Sequence, residues 1–215
     1  MKERRKRILL YVLGGIFLGF IALTILVSSF PVSVVDREFS EEIQEHQHPF
    51  IDSVMKIISW PGYAPQSIII VLTVAAIFFL YKRRKESLFI LLTMISGIIG
   101  RSLKILIDRP RPTDDLVLII EKAKHQSFPS GHVLFYVSFF GFLIILMYHL
   151  KDINKSLRIC VMAFCAFMIF TVPVSRIYLG AHWFTDVLGG ALLGILILFG
   201  LSYFYMKNHN HSEHS

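Results

Sequence analysis

Three groups of polar and basic residues stand beside long apolar runs, and their types suit the handling of a phosphoryl group. Lys104 precedes Arg111-Pro112 in KILIDRPRP, Pro129-Ser130-Gly131-His132 opens an apolar stretch, and Ser175-Arg176 is followed by His182 and Asp186. Ionisable residues in such places are costly to keep in a membrane, which makes them candidates for function. Arg111 and Arg176 can grip phosphate oxygens through paired N–H groups, and Lys104 supplies a point charge. A single cation near the end of a span more often reaches out to headgroups. Ser130 suits a helix N-cap and Gly131 permits close backbone approach, so the helix they open offers free N–H groups and a positive dipole end to an anion. His132, directly after them, can serve as a general acid. A PSG triplet alone is explained as well by an ordinary capped span. His182 and Asp186, four residues apart, share a face if both are helical. The carboxylate would then hold one ring nitrogen as N–H and leave the other free to attack; the alternative is that His182 and Trp183 mark a membrane interface. Arg101, one turn before Lys104, reads as a buried structural partner in preference to a substrate contact.

These groups need a frame, and the composition supplies one. The chain has 215 residues, of which 54% are hydrophobic, and a mean hydropathy of +0.62, a balance that favours lipid as the solvent. A span needs about 20 apolar residues. Six segments qualify, at 8–30, 63–81, 87–107, 132–150, 157–175 and 182–206, the second being the shortest in strongly apolar sequence. The first lacks a cleavage site and is longer than a signal-peptide core, so it reads as a retained span. Cys160 and Cys165 lie in an apolar run, where no disulfide is expected.

The formal charge is +7, but its distribution points to topology in place of nucleic-acid binding. One set of loops carries thirteen Lys and Arg residues: five before residue 8, four at 82–85, three at 151–158, and Lys207. The other set carries seven over much longer loops. Lys- and Arg-rich short loops stay cytoplasmic, so both termini are expected inside and all three polar groups outside. The expected fold class is therefore all-α: a polytopic membrane protein of six transmembrane helices, one domain over 1–215 with a polar tail from about 207. In the first external loop Phe50, Ile51, Val54, Ile57 and Ile58 recur at helical spacing and suggest a surface amphipathic helix behind an acidic segment. The acidic segment reads equally as a solvated loop or as part of a substrate gate.

In order and spacing the three groups resemble the signature of type 2 phosphatidic acid phosphatases, the PAP2 superfamily. Lys104, Arg111, Pro112, Pro129, Ser130, Gly131, His132, Ser175, Arg176, His182 and Asp186 fill its eleven fixed positions without departure. The resemblance implies roles. His182 would be the nucleophile that forms a phosphohistidine, Asp186 its orienting carboxylate, and His132 the acid that protonates the leaving oxygen and later activates water. Lys104, Arg111, Ser130, Gly131 and Arg176 would bind the phosphate. No metal or other cofactor is implied, since the cations would stabilise the equatorial oxygens. Soluble vanadate-dependent haloperoxidases share the signature, but the hydropathy argues against that branch.

The expected activity is hydrolysis of a lipid phosphate at the outer surface of the cell membrane. Undecaprenyl diphosphate stands slightly ahead of phosphatidylglycerol phosphate as substrate. The expected partners are that substrate and membrane lipids, with no nucleic acid and no obligate protein. Two other functions remain open: phosphotransfer to another lipid or sugar, and a transporter or binding protein that merely holds an anionic lipid.

Overall fold

A backbone in hydrocarbon must satisfy its own N–H and C=O groups, so the long apolar runs can only fold as helices. The computed structural model describes residues 2–212. Among the described residues there is no strand. The helices are α1 (Lys2–Ser29), α2 (Val34–Gln44), α3 (Pro49–Ser59), α4 (Ala64–Leu80), α5 (Arg84–Leu92), α6 (Ile95–Ile107), α7 (Gly131–His149), α8 (Lys155–Tyr178) and α9 (Phe184–Ser212). Five stretches are long and apolar enough to cross a membrane, with α5 and α6 together forming one of them. A sixth results if α3 and α4, which meet at 59° across Trp60–Gly62, form one broken span. The side chains of Lys2, Arg5 and residues 208–215 lie outside the described residues, and with them part of the N-terminal basic cluster and the expected polar tail.

Helix α7 is the axis of the bundle. Its residues from Val133 to Leu143 are buried without interruption, and it packs chiefly on α8 and α9. Gly190 allows α9 to lie this close: a Cβ there would stand 2.7 Å from the Ser130 carbonyl oxygen, overlapping backbone that cannot move aside. Helix α1 lies at the margin against α9, where Phe20, Leu23 and Val27 cluster with Phe128, Leu134 and Leu193. Most of its other large apolar side chains are exposed, as suits a helix facing lipid.

Two expected elements differ in detail. The third span is tightened at Thr93-Met94, where successive N–H groups bond three residues back and the Thr93 hydroxyl donates to the Ile90 carbonyl at 2.6 Å. The first loop holds two helices in place of one. Helix α2 begins with a reciprocal cap between Ser33 and Asp36. Helix α3 starts at Pro49, capped by the His48 ring, and buries Ile58 while Val54 and Met55 pack on the same core. Phe50 and Ile57 point outward. The acidic segment is not simply a solvated loop, because Asp36 is fully buried.

The helices run so that α1 and α8 end, and α7 and α9 begin, at one end of the bundle. There Arg109 Nε donates to the Pro31 carbonyl at 2.8 Å, and Ser130 N–H donates to the Asp186 carbonyl at 2.9 Å. At the opposite end the basic turns meet, with Arg83 paired to Asp152 and Tyr205 donating to Glu86.

Candidate active site

The three sequence groups converge. Lys104 comes from the last turn of α6, which stops where Asp108 takes a left-handed conformation (φ 49°) and Pro110 and Pro112 bar continuation. Its Nζ donates to the carbonyls of Gln126 at 2.8 Å and Ser127 at 2.9 Å. Arg111, on the loop that follows, donates through Nε to His125 O at 2.7 Å, through Nη2 to Lys124 O at 2.9 Å and through Nη1 to Ala181 O at 2.5 Å. The same Nη1 stands 3.3 Å from His182 Nε2. Burial, with the charge of Arg176 adding to it and Asp186 opposing, pushes Arg111 down to about 10, so it stays charged at neutral pH.

His182 is almost wholly buried, in the turn just ahead of α9 rather than inside the helix. Its Nδ1 lies 3.4 Å from Asp186 Oδ2, and Trp183 N–H donates to the same oxygen at 2.9 Å. The Ser127 hydroxyl also donates to Asp186 Oδ2 and stands 3.4 Å from His182 Nδ1. These partners leave Nε2 as the ring atom turned toward Arg111. Burial first, then the charges of Arg111, Lys104, Arg176 and Arg109, hold the imidazole well below its usual titration range, and therefore neutral.

His132 sits one residue into α7, its ring edge-on to Tyr63 with centroids 5.0 Å apart. Gly62 makes room for it, since a Cβ there would stand 2.2 Å from a ring carbon. The Arg176 guanidinium also approaches Tyr63, 6.0 Å from the centre of the phenol ring. His132 is thus within electrostatic reach of Arg176, His182, Arg111 and Lys104 together. Ser130 caps α7 by position only: its hydroxyl receives no bond from the helix. Ser130 Oγ, His132 Nε2 and Arg176 Nε are buried polar atoms without a hydrogen-bond partner, and such orphans are costly unless a ligand satisfies them.

Several residues here were not foreseen. Arg109 is entirely buried between two carboxylates, donating to Asp36 at 2.7 Å and to Asp186 at 2.6 Å, with Thr185 Oγ1 at 2.7 Å. Asp36 Oδ1 in turn accepts from the Thr185 N–H at 2.9 Å. The sequence did carry a signal, since Arg109-Pro110 is a second Arg-Pro pair two residues before the one in the signature. Glu121 and Tyr63 are a second case: Arg176 Nη2 donates to Glu121 at 2.9 Å, and the Tyr63 hydroxyl donates to the other carboxylate oxygen. Arg101 corrects an expectation. It is exposed and, among the described residues, has no hydrogen-bond or ion-pair partner, lining a groove beside Lys104 instead of packing in the core.

Comparison with known proteins gives the family. The PAP2 superfamily model matches residues 85–210. The chain belongs to the PAP2 superfamily. Among PAP2 relatives it is 28% identical over 187 residues to phosphatidylglycerophosphatase B of Bacillus subtilis (strain 168), covering 86% of this chain and 90% of that one. It is also 28% identical over 183 residues to lipid phosphate phosphatase 1 of Arabidopsis thaliana, covering 70% of this chain and 54% of that longer protein. The crystal structure of a transmembrane PAP2-type phosphatidylglycerolphosphate phosphatase from Bacillus subtilis superposes with a TM-score of 0.80 at 27% identity, over 92% of this chain and 97% of that one. LpxE of Aquifex aeolicus shares the fold, with a TM-score of 0.60 at 24% identity over 79% and 93% of the two chains. This PAP2 chain is a multi-pass membrane protein of the lipid phosphatase family, without strands among its described residues.

Proposed function

We propose that the protein hydrolyses the terminal phosphate of a membrane lipid through a phosphohistidine on His182. The observation that carries this reading is the set of orphaned atoms, Ser130 Oγ, His132 Nε2 and Arg176 Nε, in a site that also holds Lys104, Arg111 and a neutral His182. An anion with several acceptor oxygens would satisfy these groups together, and a phosphate is such an anion.

In the first step His182 Nε2 attacks phosphorus, the bond from phosphorus to the lipid oxygen breaks, and His132 gives its proton to that oxygen. Asp186 holds the N–H at Nδ1 and stabilises the charge that grows on the ring. In the second step water attacks phosphorus, its proton passes to His132, the P–N bond breaks and inorganic phosphate leaves. Lys104, Arg111 and Arg176, with N–H groups at the Ser130-Gly131 helix start, face the equatorial oxygens throughout. Arg176 must exchange Glu121 for substrate, or share it, when phosphate enters.

The site lies at the end of the bundle away from the basic turns, and cation-rich loops stay cytoplasmic. That supports an outward-facing site, both termini inside and six spans in one domain, with α3 and α4 as the broken sixth span and α2 at the outer surface. The similarity to phosphatidylglycerophosphatase B supports phosphatidylglycerol phosphate as a substrate alongside undecaprenyl diphosphate. Phosphate release from a panel of lipid phosphates by the detergent-purified protein tests the reading. Release without an added acceptor, lost in His182→Ala of unchanged fold, is the expected result. Undiminished release by that variant, or release only with an acceptor lipid or sugar present, would overturn it.

A further inference from the structure

A groove of about 460 Å³ leads away from His132 and Lys104 between α4, α6 and α7. Its outer lip includes Ile68, Ile98 and Ile105, all exposed, the last two on the span formed by α5 and α6, so it opens sideways toward lipid tails. No Asp or Glu lines it; its charged or titratable lining residues are Arg101, Lys104, Lys124, His125 and His132. Arg101 is the one that lies deeper in the span than Lys104. It precedes Lys104 by one helical turn on the groove side, a rise of about 4.5 Å, and among the described residues it has no hydrogen-bond or ion-pair partner. An unpaired guanidinium below the headgroup level is expensive, and it stands on the path a tail would follow from the reacting phosphate.

We propose that Arg101 binds the second, tail-side phosphate of a two-phosphate lipid whose tail lies in the groove, and so sets the preference for such lipids over those with one phosphate. This rests on the reading that the terminal phosphate sits at His182 and His132. The outer phosphate is met by Lys104, Arg111 and Arg176, and the inner one falls to Arg101, whose planar fork can take two of its oxygens. Two chemistries meet this description: a prenyl diphosphate, with the phosphates directly joined, and phosphatidylglycerol phosphate, with a glycerol between them. Gly97, with no atom within 4 Å of where its Cβ would be, keeps the groove open beside Arg101.

The test separates binding from turnover. Native mass spectrometry of the full-length, detergent-solubilised His182→Ala protein, with and without Arg101→Gln or Arg101→Lys, measures affinity for four lipids: a long-chain prenyl diphosphate, the matching monophosphate, phosphatidylglycerol phosphate and phosphatidic acid. Arg101→Gln is expected to lower the preference for two-phosphate over one-phosphate lipids by about tenfold or more, with Arg101→Lys recovering part of it. A loss on the diphosphate arm, the glycerol-spaced arm or both upholds the proposal and says which spacing Arg101 fits. An unchanged preference on both arms overturns it. Gly97→Leu is a second probe: it should weaken all four long-chain lipids relative to a short-chain phosphate, and equal affinities would remove the groove from the account. Hydrolysis by the otherwise wild-type protein is followed in parallel. If the binding preference depends on Arg101 but no lipid is hydrolysed, the reading of the catalytic site fails while this proposal stands.

Discussion

Replacing Arg109 with alanine should damage both stability and turnover, although Arg109 belongs to none of the signature positions. Its guanidinium makes four bonds from a site with no solvent access: Nε to Pro31 O at 2.8 Å, Nη1 to Thr185 Oγ1 at 2.7 Å and to Asp186 at 2.6 Å, and Nη2 to Asp36 at 2.7 Å. Removing it leaves two fully buried carboxylates facing each other without a cation. Breaking a buried pair this way costs about 3–5 kcal/mol, which corresponds to a drop in unfolding temperature of roughly 6–20 °C for a domain of this size. Cys165 is buried and Cys160 exposed, so a thiol-reactive dye added after Cys160 is blocked reports unfolding in detergent through Cys165. Because Asp186 also holds His182, kcat should fall more than KM changes. Arg109→Lys restores the charge but cannot reach all four acceptors, and should recover only part of each loss. Asp36→Asn should cost less in the Arg109→Ala background than alone, because the two share one network. An unfolding temperature within about 2–4 °C of wild type, together with unchanged kcat, would refute the claim that this ion triad holds the catalytic carboxylate.

Other consequences follow from the same geometry. Gly190→Ala places a methyl 2.7 Å from the Ser130 carbonyl; separation of α9 from α7 should cost about 1–3 kcal/mol and lower kcat by displacing Ser130, as thermal unfolding and initial rates would show. His182 is held neutral, its pKa below the ordinary 6.5, so the limb of kcat/KM that reports its protonation should lie below pH 6.5. By linkage, the stability that its neutral form contributes is complete above about pH 6.5 and is lost as pH falls toward the depressed folded value, because the unfolded chain takes up the proton first. An acid limb from His182 above 6.5, followed by NMR of the labelled imidazole, would contradict this. The proposed site meets the phosphate with side-chain cations, so release of phosphate should persist in excess EDTA, and a loss restored by magnesium would contradict that assignment.

Much of the frame was readable because a span is a local property. The apolar runs at 132–150 and 157–175 became α7 and α8 within a few residues, since hydrophobic length and flanking charge act on neighbours in sequence. The tightened turn at Thr93-Met94 was not readable: it lies inside an unbroken apolar run and depends on short-range hydroxyl bonds. Helix α3 was legible as an apolar helix, but its bent continuity with α4 was not. At the site, the signature positions could be named because their types and spacing are specific. The contacts that hold them were hidden because they are remote in sequence: Arg109 to Asp36 spans 73 residues and Arg176 to Glu121 spans 55. Arg101 was misplaced for the related reason that neither helical phase nor charge says whether a cation faces the core or a groove.

The most direct measurement is rapid acid-free quenching of the purified protein turning over a lipid labelled in its terminal phosphate, followed by mass spectrometry of the peptides. The account predicts a base-stable, acid-labile phosphoryl group on the peptide containing His182, carried on the imidazole, absent in His182→Ala and longer-lived in His132→Ala when the leaving group needs no proton. Steady turnover with no label on His182, or label on any other residue, would contradict it.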